Sequence, residues 1–393
     1  MTRRMASRLS LVGTSPTIAV KMEADRLRRE GVQVVDFGPG EPDLPSPEAV
    51  KRAGIRAIEE DFTHYTAAGG IQPLRQALAE RYATLGGGSI DPAEVLVGVG
   101  GKSLLFAAML ALLNPGDEAV IFAPYWVSFP EQVRLAGGVP VFASLSADDG
   151  FAVRAAALEK VLSPATRMVI LNSPCNPSGS VLAAEEAAAI AELVIERDLW
   201  LVSDETYESF VYDPADAFSF LTLRGRLGSR LLFISAFSKT WAMTGWRIGY
   251  GIGDRDVIRA LLTIQSHDTT HPSSISQRAA LAAVEQAAEV PQQTLEIYRR
   301  RRRRLVDGLQ RIPGVVCPEP KGAFYAYPDV RGLIERRGLE SSAALARALI
   351  ADKAVATVPG EAFGTPGHLR LSYATAEAVI DEGLERLESF ARA

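Results

Sequence analysis

The chain has 393 residues, 47% of them hydrophobic, and a net charge of -5 at neutral pH. That is the composition of a globular protein long enough for two cores, with no electrostatic reason to bind nucleic acid. Two cysteines, Cys175 and Cys317, are too few for a disulfide framework, and no apolar run approaches the roughly 20 residues of a membrane span. The basic start Met1-Thr2-Arg3-Arg4 lacks the apolar stretch a signal peptide needs, so a cytoplasmic location is expected.

In chain order, an N-terminal helix is predicted near 18–30. From about 90 to 290, short apolar runs rich in β-branched residues alternate with amphipathic stretches. Strands are predicted at 95–99, 119–122, 167–171, 199–202 and 231–234, with helices over 102–113, near 126–135 and over 184–197. Such alternation predicts an α/β fold, a mostly parallel sheet flanked by helices. After Pro291 a long charged helix leads to shorter apolar runs at 315–316, 323–327, 355–358 and 369–373. Helices are expected near 341–351 and from Ala376. This reads as a smaller α/β domain, giving an arm and helix at 1–45, a large domain at 46–290 and a small one at 291–393. Six consecutive arginines, 299–304, invite a nucleic-acid reading. The run has no interleaved aromatics and the molecule is acidic, so a solvated turn and a half of helix is expected.

Chemistry concentrates in four segments. Lys239 lies in Ser235-Ala236-Phe237-Ser238-Lys239, and Arg247 follows within Gly245-Trp246-Arg247-Ile248-Gly249. An ordinary lysine is neutral in only about one molecule in 2,500 at pH 7, so a reactive one needs burial and nearby positive charge. Asp204 closes an apolar run, where open α/β sheets place ligand groups, and Tyr207 follows three residues later. Asn172-Ser173-Pro174-Cys175-Asn176-Pro177-Ser178-Gly179 carries an amide, and Val99-Gly100-Gly101-Lys102 joins a strand to a helix N-terminus able to cradle an anion. Singly, each has a bland alternative: a surface lysine, an N-cap aspartate, a plain turn, a strand-to-helix connection.

Together, in this order and spacing, these segments resemble fold-type I, pyridoxal-phosphate-dependent aminotransferases over nearly the whole chain. The resemblance implies that Lys239 joins the cofactor as a Schiff base and that Arg247, Gly100, Gly101, Lys102 and Ser238 meet its phosphate. Asp204 would keep the pyridine nitrogen protonated, Tyr207 and Asn176 would bond the ring oxygen, and Trp126 would stack on the ring; a core tryptophan is the alternative. Arg370, in Leu369-Arg370-Leu371-Ser372-Tyr373, matches the arginine for the substrate α-carboxylate, and Gly40 the loop beside it. Tyr65 resembles a tyrosine that reaches the neighbouring subunit's phosphate, which implies a homodimer with shared sites. The family often has a phosphate-binding serine three residues before the lysine; here that place is Ala236, and Ser235 or Ser238 is expected to compensate. The segment 268–272 nears the partner's site in the family, so Thr269, Thr270 and His271 are carried as candidates. The four histidines form no metal pattern, and Cys175 reads as a buried filler.

Val-Gly-Gly-Lys, Pro-Tyr-Trp-Val-Ser and Arg-Leu-Ser-Tyr-Ala look like the bacterial subgroup I-gamma aspartate and prephenate aminotransferases. There Lys102 and Thr17 match positions that handle the substrate's distal carboxylate; Lys102 reads equally as a helix-start lysine touching phosphate or solvent. The activity implied is ping-pong transamination between an amino acid and a 2-oxo acid. The same cofactor site also serves aromatic or kynurenine-type aminotransferases and C-S β-lyases.

Overall fold

The computed structural model describes residues 5–14, 16–85, 88–213, 218–287 and 290–393, with the side chains of 290 and 291 excepted. Val35–Asp36 forms a short strand, β1. The apolar runs of the middle region become β2 (Val95–Gly98), β3 (Glu118–Ala123), β5 (Thr166–Asn172), β6 (Trp200–Asp204) and β7 (Leu231–Ala236). With β4 (Val139–Ser144) and β8 (Gly249–Gly253) they make one seven-stranded sheet, ordered β2-β8-β7-β6-β5-β3-β4. Only β8 runs antiparallel to its neighbours, so the expected mostly parallel sheet is what forms.

The near-continuous apolar runs follow from burial on both faces. Val97, Val120, Val169, Leu201 and Phe233 pack under Leu74 and Leu78 on one side and Ile190 and Val194 on the other part of that layer. Their chain neighbours Leu96, Ile121, Ile170, Val202 and Ile234 point the other way, onto Leu104, Leu105 and Met109 of the helix Gly100–Leu112. Two strands escaped the apolar-run reading. β4 is an edge strand holding Pro140 and several half-exposed residues, and β8 is Gly-Tyr-Gly-Ile-Gly, poor in β-formers.

The C-terminal part builds a second core. β9 (Tyr325–Ala326), β11 (Val358–Pro359) and β12 (Leu369–Ser372) form an antiparallel sheet, and β10 (Val355–Ala356) pairs in parallel with β1. Residues 355–358 are thus two strands, and 315–316 contributes a single bridge, Val316 to Asp329. The helix Pro16–Arg29 lies against β10 and β11. Val35, Phe37, Phe324, Leu345, Leu349, Leu371 and Phe390 meet in this core. Among the described residues no helix is long and apolar enough to cross a membrane.

The arginine run departs from the solvated reading. Six residues of helix turn through about 1.7 turns, so some must face inward. Within the helix Val290–Leu309, Arg301 is 7% exposed, and Arg302 lies 4.3 Å over the Tyr212 ring while donating to the Pro320 carbonyl at 2.7 Å. Arg299 donates to the Tyr212 carbonyl at 2.7 Å; Arg300, Arg303 and Arg304 remain exposed. Buried guanidinium groups are tolerated here because each finds oxygen partners or an aromatic face.

Candidate active site

The carboxyl ends of the parallel strands converge on one cavity of about 300 Å³. Asn172 ends β5, Asp204 ends β6 and Ala236 ends β7, and all three line it. The cavity is also lined by Thr17, Gly40, Gly101, Lys102, Trp126, Asn176, Tyr207, Ser238, Lys239, Arg247 and Arg370. Residues spread over 350 positions of sequence therefore meet at one place.

One part of the cavity is built for an anion. Gly100, at φ +75°, starts the helix Gly100–Leu112, whose N-terminal amides point outward. A Cβ on Gly100 would come within 3.0 Å of the Arg247 guanidinium, which lies directly against this turn. Arg247 itself is in the left-handed region, φ +52°, and its Nη1 donates to the Thr244 carbonyl at 2.7 Å. β8 runs beneath the turn so closely that a Cβ on Gly249 would lie 2.5 Å from the Gly101 nitrogen. Gly249→Ala is therefore expected to destabilise the protein by about 1–3 kcal/mol, read by thermal melting. Ser238 reaches this cavity; Ser235 sits on the other face of β7, toward Glu208 and Tyr250. Of the two serines expected to replace the missing donor at Ala236, only Ser238 is placed to do so.

Lys239 is half-buried, and its Nζ donates to the Gly40 carbonyl. Burial pushes its ammonium down to about 8; Glu41 opposes the fall, Arg370 and Arg247 add to it, and Asp204 opposes. Asp204, 6% exposed, accepts one hydrogen bond from the Thr206 amide at 3.1 Å. Burial raises its carboxyl above the ordinary range, partly offset by that hydrogen bond and by the charge of Lys239. Burial likewise raises the Tyr207 phenol, whose oxygen lies 2.7 Å from that of Tyr325.

Arg370 comes from β12 and is fully enclosed. It donates to the Asn176 side-chain oxygen at 2.9 Å and to the Gly38 carbonyl at 2.6 Å, and its plane rests 4.6 Å over the Tyr325 ring. Its Nε is buried with no partner among the described residues. Lys102 holds its Nζ 4.9 Å over the Trp126 ring, and burial, then Arg247, lowers its ammonium.

Four cavity residues were not foreseen: Leu105, Asn172, Thr206 and Tyr325. Asn172 pairs in register with Asp204 across β5 and β6, and its side chain bonds the Asp204 carbonyl at 2.9 Å and the Asn176 amide at 2.8 Å. Two adjacent strands ending at the same level was the available signal. Nothing in the apolar run 323–327 marks Tyr325. Conversely, Tyr65 is 89% exposed and makes an edge contact with His271 at 5.5 Å, and neither it nor Thr269, Thr270 or His271 lines this chain's cavity.

An anion cradle, a flat aromatic, a buried carboxylate and a depressed amine around one cavity fit pyridoxal phosphate group by group. The profile of the family "Aminotransferase class I and II" matches residues 32–387. The chain belongs to that family: it is a fold-type I, pyridoxal-phosphate-dependent aminotransferase. It is 41% identical to the aspartate aminotransferase of Streptomyces avermitilis over 98% of this chain and 96% of that protein. Identity to the aspartate/prephenate aminotransferase of Cereibacter sphaeroides is also 41%, over 98% of each. Among solved structures, the Thermus thermophilus aspartate aminotransferase with maleate superposes with a TM-score of 0.93 at 39% identity, covering 99% of this chain and 100% of that one. The fold class and the aminotransferase activity read from the motifs are borne out.

Proposed function

We propose that the enzyme transfers the amino group of a dicarboxylic L-amino acid, aspartate or glutamate, to a 2-oxo acid, with prephenate as a further acceptor. One observation carries this reading. The cavity presents four cations, Lys102, Lys239, Arg247 and Arg370, against a single carboxylate, Asp204. The cofactor phosphate accounts for Arg247, the reacting amine is Lys239, and one substrate carboxylate takes Arg370. Lys102 is left for a second carboxylate, and Thr17 is a further polar residue of the lining. The maleate of the similar Thermus thermophilus structure, a dicarboxylate, supports the same reading.

Bound here, pyridoxal phosphate supplies a carbonyl for condensation with an amine and a protonated ring that withdraws electrons from the substrate Cα. The Gly100 and Gly101 amides, Ser238 and Arg247 hold its phosphate, Trp126 covers its ring, and Asp204 keeps its ring nitrogen protonated. The Tyr207 and Tyr325 hydroxyls share one hydrogen bond in which either can donate; with Tyr325 as its donor, the Tyr207 proton is free for the ring oxygen, and the Asn176 NH2 serves as the second donor there, since its oxygen is taken by Arg370. Lys239 Nζ accepts the Cα proton as a base and returns it as an acid, and its burial keeps a useful fraction uncharged at neutral pH.

Replacing Lys102 by alanine is expected to raise KM for aspartate about tenfold or more while changing KM for phenylalanine little. Equal effects on both donors would overturn the dicarboxylate assignment in favour of an aromatic one. We also infer a homodimer: Tyr65, Ile55 and Ile58 are exposed at 89%, 55% and 56%, which supports a partner surface on this side. Two cores support a large unit at 46–290 and a smaller one at 291–393, with the arm and helix of 1–45 packing with the smaller one. Two unpaired cysteines are consistent with a reducing, cytoplasmic setting.

A further inference from the structure

Part of the arginine run reaches the active site through one loop. Residues 38–43 run Gly-Pro-Gly-Glu-Pro-Asp. Five side-chain donors hold this loop. Arg370 donates to the Gly38 carbonyl at 2.6 Å, Lys239 donates to the Gly40 carbonyl, and Thr244 donates to the Glu41 carboxylate at 2.9 Å. At the end of the loop Arg301 grips Asp43 with both prongs of its fork, at 2.7 and 2.9 Å, and the Tyr298 hydroxyl adds a bond at 3.3 Å. Tyr298 is fully buried, and its ring lies 5.4 Å from the Arg301 guanidinium.

The first two of these donors are the groups that must turn to substrate. When Lys239 carries the cofactor and Arg370 takes a carboxylate, the Gly40 and Gly38 carbonyls give up or share those hydrogen bonds. A loop of two glycines and two prolines then needs other anchors to stay in register. Glu41 with Thr244 is one, exposed and a single bond. Arg301 with Asp43 is the other: bidentate, charge-assisted and shielded on the arginine side.

We propose that the Arg301–Asp43 pair is a positioning clamp that keeps loop 38–43 in place once Lys239 has exchanged the loop for cofactor and Arg370 exchanges it for substrate. The inference rests on the roles given above to those two residues. It assigns a task to one member of a run that otherwise reads as surface charge, and it acts through Gly38 and Gly40 rather than on the reacting atoms. A loop displaced by about 1 Å beside a reacting centre is enough to spoil binding or orientation.

The test compares Arg301→Met, Arg301→Lys and Asp43→Asn with Arg300→Met, the same charge change on an exposed neighbour. KM is measured with whichever amino acid the wild type uses best, so a wrong guess about dicarboxylates leaves the test intact. Arg370→Ala, run alongside, removes the substrate-carboxylate contact together with the Gly38 bond, and an unchanged KM there would overturn the carboxylate role itself. Arg301→Met and Asp43→Asn are expected to raise KM about tenfold with kcat within about threefold. Arg301→Lys should lie between, because one ammonium cannot reproduce the fork. The double variant Arg301→Met/Asp43→Asn should be no worse than either single change. Amide hydrogen exchange over 38–43 in the holoenzyme should speed up in Arg301→Met when maleate is added, and stay slow in the wild type. The proposal is overturned if KM stays unchanged while Tm falls. It is also overturned if Arg300→Met has the same effect, or if exchange over 38–43 matches the wild type with maleate bound.

Discussion

Alanine in place of Lys239 is expected to lower transamination on the order of 10^4-fold or more, because covalent attachment and proton transfer depend on one amine. The variant should also lose the visible absorbance that attachment of the cofactor to Lys239 gives. With its ammonium at about 8, roughly one Lys239 in ten is uncharged at pH 7 in the unloaded protein, against about one in 2,500 for an ordinary lysine. A small primary amine added to the assay should restore part of the proton-transfer rate in the variant, since the cavity and its other groups are unchanged. Retained steady-state turnover without such rescue would remove Lys239 from the mechanism.

The same depression has a stability consequence of definite sign. An unfolded lysine binds its proton up to about pH 10.5, the buried one only up to about 8. Below pH 8 the folded state carries the whole cost of a buried ammonium, about 3 kcal/mol at most for that shift. The unloaded Lys239→Met protein is therefore expected to melt higher than the wild type at pH 7. The gap should close as pH rises from 8 to 10.5. A gap independent of pH would mean that methionine gains by packing rather than by removing charge.

How much of this was readable beforehand depended on what kind of information each residue carries. Lys239, Asp204, Asn176, Arg247 and Arg370 are named by side-chain type and spacing, and the structure gathers them round one cavity. The β2, β3, β5, β6 and β7 runs are apolar because helices cover both faces, so composition alone betrays them. β8 carries no such signal: its Gly249 is there because helix Gly100–Leu112 begins almost in contact with it, a constraint of another segment's position. Ser235 and Ser238 are separated by strand parity and the start of a short helix, which spacing from Lys239 could not resolve. Tyr325 and Arg301 were invisible for one shared reason. Each acts on partners far along the chain, Tyr207 and Asp43, and only the assembly of the second core brings them there.

Asparagine in place of Asp204 is expected to cut kcat about 10^3-fold with little change in fold, since volume and the Thr206 hydrogen bond can both persist. What is lost is a negative charge beside the position of the ring nitrogen. Without it that nitrogen gives up its proton, and stabilisation of charge at the substrate Cα falls with it. A cofactor analogue methylated at that nitrogen carries a fixed positive charge and should recover part of the loss in the variant but not in the wild type. Stability should move the opposite way to activity. Burial raises the Asp204 carboxyl above 3.8, so the folded state bears the cost of ionisation at neutral pH and is relieved of it below about 3.8. The unloaded Asp204→Asn protein should thus be the more stable at pH 7 and lose that advantage in acid. Because Lys239 partly neutralises Asp204, removing both should not give the sum of the two single effects. A strictly additive double variant would show that the amine and the carboxylate do not feel each other across the cavity.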